Sequence, residues 1–207
     1  GENHPDTIGV RNTMGVALRR LDRNEEAAAM YAQAAESAQR VFGPAHRATL
    51  TLKSNEAVAL EAIGRIDEAE RISREVYAVQ REALGEAHDD TLSTASNLAI
   101  LLVRTGRSAE AEAILRESLS SLIESRGENS MLAGILYGAL GKSLRGQARY
   151  DEAEAALLRS HGIIVGIVGA QHPATKATVD EIRALFGPDG MNAPDRLAAF
   201  EASIASP

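Results

Sequence analysis

Residues 85–126 read GEAHDDTLSTASNLAILLVRTGRSAEAEAILRESLSSLIESR, and close variants of this stretch run the length of the chain. Its opening glycine has counterparts at Gly1, Gly43, Gly127 and Gly169, a period of 42 residues without drift. Its central arginine, Arg107, has counterparts at Arg23, Arg65 and Arg149, each three residues before a glutamate and four before an alanine. Two phrases at fixed phase define one structural unit copied end to end. A unit of this length cannot bury its apolar face alone, so the units must stack, and an elongated array is expected rather than a globule around a pocket.

Inside the stretch, Thr91, Leu92, Ala95, Leu98, Ala99 and Leu102 recur at helical spacing, and Thr105-Gly106-Arg107 breaks the pattern. A second helical run from Ala109 through Ala111, Ile114, Leu115, Ser118 and Leu122 ends near Gly127. Runs of β-branched residues with period two are absent, which sets aside a propeller of similar repeat length. Pro5 and Pro173 fit the first helical position, with the glycine phrase ending the helix before. Asn24 and Ser108 are expected N-caps of the second helices. Glu26, Glu68, Glu110 and Glu152 then fall in the first turn, where the helix dipole favours a negative charge by ~0.3–1 kcal/mol. The Arg-x-x-Glu-Ala phrase therefore reads as structural.

Composition agrees with an array. Apolar residues make up 44% of 207, aromatics only 3%, and tryptophan is absent, so the core is expected to be thin and built from small residues. The absence of cysteine excludes disulfides, thiolate nucleophiles and cysteine-type zinc sites. A net charge of −7 argues against general nucleic-acid affinity, which needs a basic face. With no apolar stretch long enough for a bilayer and no leader-like segment, a cytoplasmic protein without membrane insertion is expected. Residue 1 already stands inside the repeat phrase, from which an excised part of a longer protein is expected, with an apolar N-terminal face around Ile8, Val10 and Leu18 open to weak self-association.

The small residues choose among helical repeats. A ladder of Ala99, Ala111, Leu115 and Ser118 has copies at Gly15, Ala27, Tyr31 and Ala34, at Ala57, Ala69, Ser73 and Val76, and at Gly141, Ala153, Leu157 and Ser160. This is the spacing of tetratricopeptide repeats, whereas nothing requires the kinked or third helices of HEAT and armadillo units. Together with Gly-x-x-His-Pro-x-Thr at Gly1 and Gly169, its variants at Gly43 and Gly85, and Ser96-Asn97-Leu98-Ala99, the pattern resembles the 42-residue tetratricopeptide repeats of kinesin light chains and their bacterial relatives. The unit at Gly127 departs from it, lacking both histidine and threonine. The resemblance implies an all-α, right-handed superhelical solenoid of helix pairs. It also implies a non-catalytic scaffold that binds a peptide or protein segment in a concave groove lined by first helices.

The expected organisation is a repeat array over residues 1–186, with units at 1–42, 43–84, 85–126 and 127–168 and the first helix of a fifth at 169–186. A linker at 187–192 and a covering helix with tail at 193–207 follow, with Leu197, Phe200 and Ile204 on one side. Four glycines in the fourth first helix, Gly134, Gly138, Gly141 and Gly146, mark either close packing or softness.

Catalytic readings find no support. His4, His46, His88 and His172 share one phase, but stacked units hold equivalent imidazoles too far apart for one zinc, so helix capping is expected; His161 is read as a surface or groove-rim residue. Gly138-Ala-Leu-Gly141-Lys142-Ser143 mimics the tail of a phosphate loop but has Leu136 where that motif needs glycine. Neither a catalytic centre nor a cofactor is expected.

The register transferred from the resembling tetratricopeptide repeats implies that Asn12, Arg19, Ser54, Ser96, Arg104, Lys142 and Arg145 face inward, within a set of five basic residues and one acidic that carries net +4. An acidic or carboxylate-bearing peptide is the expected ligand, with Arg104 and Lys142 solvated. Asn55 and Asn97 either contact ligand backbone or bond within the repeat. The alternative function is a structural or regulatory arm of a larger enzyme or signalling protein, acting by intramolecular packing or self-association.

Overall fold

A computed structural model describes residues 1–188 and 190–205; Asp189 of the expected linker and Ser206 and Pro207 of the expected tail lie outside the described residues. The described residues form α1 (Pro5–Arg20), α2 (Asn24–Phe42), α3 (Arg47–Ala62), α4 (Ile66–Leu84), α5 (Asp89–Arg104), α6 (Ser108–Arg126), α7 (Met131–Gly146), α8 (Tyr150–Val168), α9 (Pro173–Phe186) and α10 (Pro194–Ala205), and no strand. Helices of 16 and 19 residues alternate through α8. Packing divides the chain into two compact units, Gly1–Thr94 and from Ala95 onward, so α5 runs from one into the other.

The turn within each pair has one cause. Asp22, Gly64, Gly106 and Ala148 take left-handed φ of 59°, 79°, 78° and 56°. The arginine that follows donates its N–H five residues back, to Leu18, Leu60, Leu102 and Leu144 at 2.9, 2.9, 2.8 and 3.0 Å, closing the last turn of the first helix. That arginine becomes the residue flanking the second helix, without a side-chain cap bond. Asn24 and Ser108 are consequently the first helical residues rather than the expected N-caps. The left-handed turn moves the boundary back by one. The guanidinium instead grips the first-turn glutamate in a fork: Arg23 to Glu26 at 2.6 and 2.6 Å, Arg65 to Glu68 at 2.6 and 2.7 Å, Arg149 to Glu152 at 2.7 and 2.6 Å.

Between pairs, the glycine phrase does three jobs. Gly43, Gly85 and Gly169 have φ of 94°, 87° and 82°, and each N–H closes the preceding helix on the carbonyl four residues back. The glycine carbonyl accepts Thr49 and Thr175 hydroxyls at 2.8 and 2.7 Å, as Gly1 accepts Thr7 at 3.1 Å. The histidine Nδ1 accepts the N–H two residues on, in Asp6, Ala48, Asp90 and Ala174, at 3.1–3.3 Å. The four phased histidines are helix caps. At Gly127 the substitute is Ser130, whose Oγ accepts from Ala133 N–H at 3.1 Å.

In the first unit α1 packs on α2, α2 on α3 and α3 on α4. Tyr31, wholly buried, sits so close to α1 that a Cβ on Gly15 would lie 2.6 Å from its ring. In the second unit α6 packs on α7, α7 on α8 and α8 on α9, with α7 also meeting α9. The glycines of α7 mark close approach rather than softness. A Cβ would lie 2.6 Å from Ile164 at Gly134 and 2.5 Å from Leu157 at Gly141, and would collide with Ser108 Oγ at Gly146. Only Gly138 is less constrained, its nearest neighbour being Ser160 Oγ at 3.1 Å.

Two expectations about the ends change. On α1, Ile8 is buried and Leu18 half-buried, whereas Val10, Met14, Val16 and the following Leu21 are the exposed large apolar residues. On α10, Phe200 is buried and Leu197 half-buried, but Ile204 is 37% exposed. Charge supplements this small apolar contact: Arg196 binds Asp151 and Glu154 at 3.0 and 2.5 Å, and Arg183 binds Glu201 at 2.6 Å.

Glycines of one helix should respond in opposite directions. Gly15→Ala forces a methyl into the Tyr31 ring and is expected to cost about 1–3 kcal/mol. Gly9→Ala, where nothing lies within 4 Å of the added Cβ, should stabilise by about 0.5–1 kcal/mol through helix propensity. Denaturant midpoints of the two variants check both signs.

Candidate peptide-binding groove

The first-helix faces of α7 and α9, with α5 from Ala95 onward, bound two adjoining depressions in the second unit. One, of about 230 Å³, has Ser96 and Ile100 from α5, Ile135, Gly138 and Lys142 from α7, and Ala177 and Glu181 from α9 in its wall. Ser160 and Ile164 of α8 lie at its base. The other, of about 700 Å³, is bounded by Val103, Lys142, Arg145, Gly146, Arg183 and Gly187. Lys142 belongs to both.

The cations differ in how far they are neutralised. Lys142 Nζ is 2.7 Å from Glu181 Oε1, and both side chains are about one-third exposed, at 33% and 30%. Lys142 is therefore an ion pair rather than the solvated charge expected from sequence. The groove-residue set omitted α9, which contributes this carboxylate. Arg183 is bound by Glu201 and by Asp180 at 3.2 Å. Arg145, half-buried, meets no carboxylate at ion-pairing distance among the described residues. Arg104 is exposed at the end of α5.

Polar groups divide similarly. The buried Ser96 Oγ has no hydrogen-bond partner in the described structure, while Ser160 Oγ donates to Gly134 O at 2.7 Å. Asn97 is exposed. In the first unit Asn55 donates to Asn12 Oδ1 at 3.2 Å, joining α3 to α1 through two half-buried amides. Of the two readings of Asn55, bonding within the repeat has a partner in hand. Ser54 is half-buried, and Arg19 is exposed close to the Tyr31 hydroxyl, whose pKa burial raises and that cation partly restores.

Motif look-alikes resolve into packing. Gly141 faces Leu157, Lys142 pairs with Glu181, and Ser143 donates to Ser108 O at 2.6 Å from within α7. Among the described residues no cluster of three metal-ligating side chains occurs, and no helix is long and apolar enough to cross a membrane.

His161 is the residue that sequence reasoning misplaced. It is half-buried in the wall of a depression shared with Val165, Val179 and Ile204, not a free surface residue, with Nδ1 2.8 Å from Thr178 Oγ1 and its ring edge-on to Phe200 at 5.7 Å. The signal was available in the repeat phase: the equivalents Ala35, Tyr77 and Leu119 are all buried apolar residues. Desolvation holds the His161 pKa below its ordinary value.

The tetratricopeptide repeat family model matches residues 6–82 and 48–124. Among solved structures, the nearly identical TPR-like repeats of a kinesin light chain-type protein from Podosopora anserina superpose with a TM-score of 0.77 at 18% identity, covering 98% of this chain and 97% of that one. A substituted form of those repeats gives 0.79 at 18%, covering 97% and 95%. BtubC (BKLC) from P. vanneervenii gives 0.73 at 19%, covering 98% of this chain and 82% of that one. These identities establish likeness of fold. No curated protein matches the chain in sequence.

Because the His161 pKa is lower folded than unfolded, the unfolded chain takes up the proton first, and stability falls as pH drops below about 6.5. Glu128, held low by hydrogen bonds from Arg159 and Tyr137, contributes its loss further down, near the ordinary carboxylate range. Stability measured between about pH 7.5 and 5 should therefore decline in the parent and decline less in His161→Gln.

Proposed function

The chain belongs to the tetratricopeptide repeat family, and from that premise we propose that it is a scaffold whose second-unit groove holds an extended segment of a partner protein. Repeats of this family mediate protein–protein interaction, and their fold is that of a non-catalytic scaffold. The observation carrying the more specific reading is two adjoining depressions, one walled by bare helix backbone at Gly138 and the other bounded by Arg145. A small apolar ligand side chain fits over Gly138 between Ile100 and Ile135. Ser96 Oγ supplies an unused polar atom for the ligand main chain. Arg145 offers the open guanidinium for a carboxylate.

The Lys142–Glu181 pair changes the preferred ligand. A segment with one acidic residue beside small apolar ones suits this groove better than a run of acids, which would confront Glu181. Asn12, Arg19, Ser54, Asn55, Asn97 and Arg104 are the groove residues proposed outside these depressions. A cytoplasmic setting suits such an interaction module. The second reading, a structural or regulatory arm of a larger protein acting by packing or self-association, is favoured by the exposed apolar residues of α1. It predicts concentration-dependent association without ligand.

Selection from a peptide display library followed by titration tests the groove. Arg145→Glu and Ile100→Asp should each weaken a selected peptide at least tenfold with helicity unchanged, while Arg71→Glu, at an exposed position of α4, leaves affinity within a factor of about two, consistent with a ΔΔG of up to ~0.5 kcal/mol for a remote surface change. Equal affinity across all three variants would remove the groove reading.

A further inference from the structure

We propose that α10 is an autoinhibitory strap: its Glu201 occupies Arg183, a cation of the second-unit groove, and a ligand that brings a second carboxylate to Arg183 displaces Glu201 and loosens α10. The coupling rests on the groove reading, since Arg183 must meet the groove ligand. Position in the repeat sets α10 apart. The small residue that admits the second helix is Gly15, Ala57, Ala99 and Gly141 in the first four pairs, and 42 residues on from Gly141 stands Arg183. In α7 a Cβ at that position would already lie 2.5 Å from Leu157. A side chain as long as arginine leaves no room for a second helix at the same distance. Accordingly, α9 meets α10 far less extensively than α7 meets α8. Among its described residues α10 buries Phe200 alone, whereas α8 buries Ala153, Ala156, Leu157, Ser160 and Ile164.

Charge takes over the missing contact. Arg183 Nε and Nη2 donate to the two carboxylate oxygens of Glu201 at 2.6 and 3.2 Å, and Nη1 donates to Asp180 at 3.2 Å. The Arg183 and Glu201 side chains are 47% and 40% exposed, and an exposed pair of this kind holds weakly against a competing carboxylate. At the other end of the helix, Arg196 ties the first turn of α10 to Asp151 and Glu154 of α8. Loss of the Glu201 contact therefore loosens the C-terminal half of α10 while its start stays anchored.

Arg183 is placed to serve either side. It belongs to the wall of the 700 Å³ depression with Lys142 and Arg145, and to that of another of about 650 Å³ shared with Ser203 and Ile204 of α10. Lys142 is held by Glu181 from within the groove, whereas the fork on Arg183 comes from the weakly packed α10. With Glu201 in place, the depression offers a ligand the Arg145 guanidinium. With Glu201 displaced, Asp180 keeps Nη1 and the Nε–Nη2 edge of Arg183 opens as a second bidentate seat, so the groove then selects a segment with two acids.

The probes are a display-selected groove peptide with a single acid and a set of its copies carrying a second glutamate at each successive position. Hydrogen exchange of the full chain reads the strap, and anisotropy reads the groove. The tightest two-acid peptide should speed exchange of the α10 amides from Phe200 onward several-fold, and the one-acid peptide should not. Glu201→Gln should raise the affinity of the two-acid peptide relative to the one-acid peptide by about three- to fivefold, the scale of an exposed ion pair. Adding Arg183→Gln to that variant should abolish the gain. Unchanged α10 exchange with the two-acid peptide bound, or an equal gain for both peptides in Glu201→Gln, would overturn the strap and leave the groove reading standing. Failure of every peptide to bind would overturn the groove reading and the coupling together.

Discussion

Close approach of two helices at a small residue is the contact on which each repeat unit rests. Gly15 gives Tyr31 its place, and Gly141 does the same for Leu157. A Cβ at either glycine would push the paired helices apart, and the short left-handed turn joining them leaves little slack to accommodate it. The low aromatic content follows from the same constraint. Alanine, glycine and serine form much of the interface, and Tyr31 fits only because its opposite number has no side chain.

The loops do comparable work with hydrogen bonds. A glycine with positive φ ends one helix, its carbonyl receives a threonine hydroxyl, and the histidine between them caps the next helix. A carbonyl of the ending helix and an N–H of the next are thereby served within seven residues. The Arg–Glu fork at the start of α2, α4 and α8 is exposed, and pairs of this kind contribute little stability, at most about 1 kcal/mol each. Its repetition is better understood as orientation of the arginine. In Arg149 that orientation leaves Nη1 pointing to a neighbouring helix.

Charge in the groove behaves differently from a simple count of cations. Lys142 and Arg183 are matched by Glu181, Asp180 and Glu201, so only part of the formal positive charge remains to attract a ligand. What remains is localised at Arg145, in the depression adjoining the one walled by bare helix backbone at Gly138. Such a site discriminates by geometry around one carboxylate more than by bulk electrostatic attraction.

The alternation of helices, their approximate limits, the small-residue ladder and the histidine caps were all legible in the chain, because they arise from local geometry repeated at a fixed period. Local reasoning failed where a residue's partner lies far away in sequence. Glu181 neutralises Lys142 from 39 positions on, a pairing that helical periodicity within one unit does not encode. His161 was misjudged because it was read as a lone polar residue and not against Ala35, Tyr77 and Leu119. Exposed apolar residues on α1 were expected from the repeat phrase, but their membership, with Ile8 buried and Met14 exposed, depended on how α1 packs on α2. The sequence alone thus determined the repeating helix pairs, through φ preferences, capping and spacing. Only tertiary packing decided which charges cancel, which glycines are crowded and which apolar stripe stays open, since those depend on distances between helices.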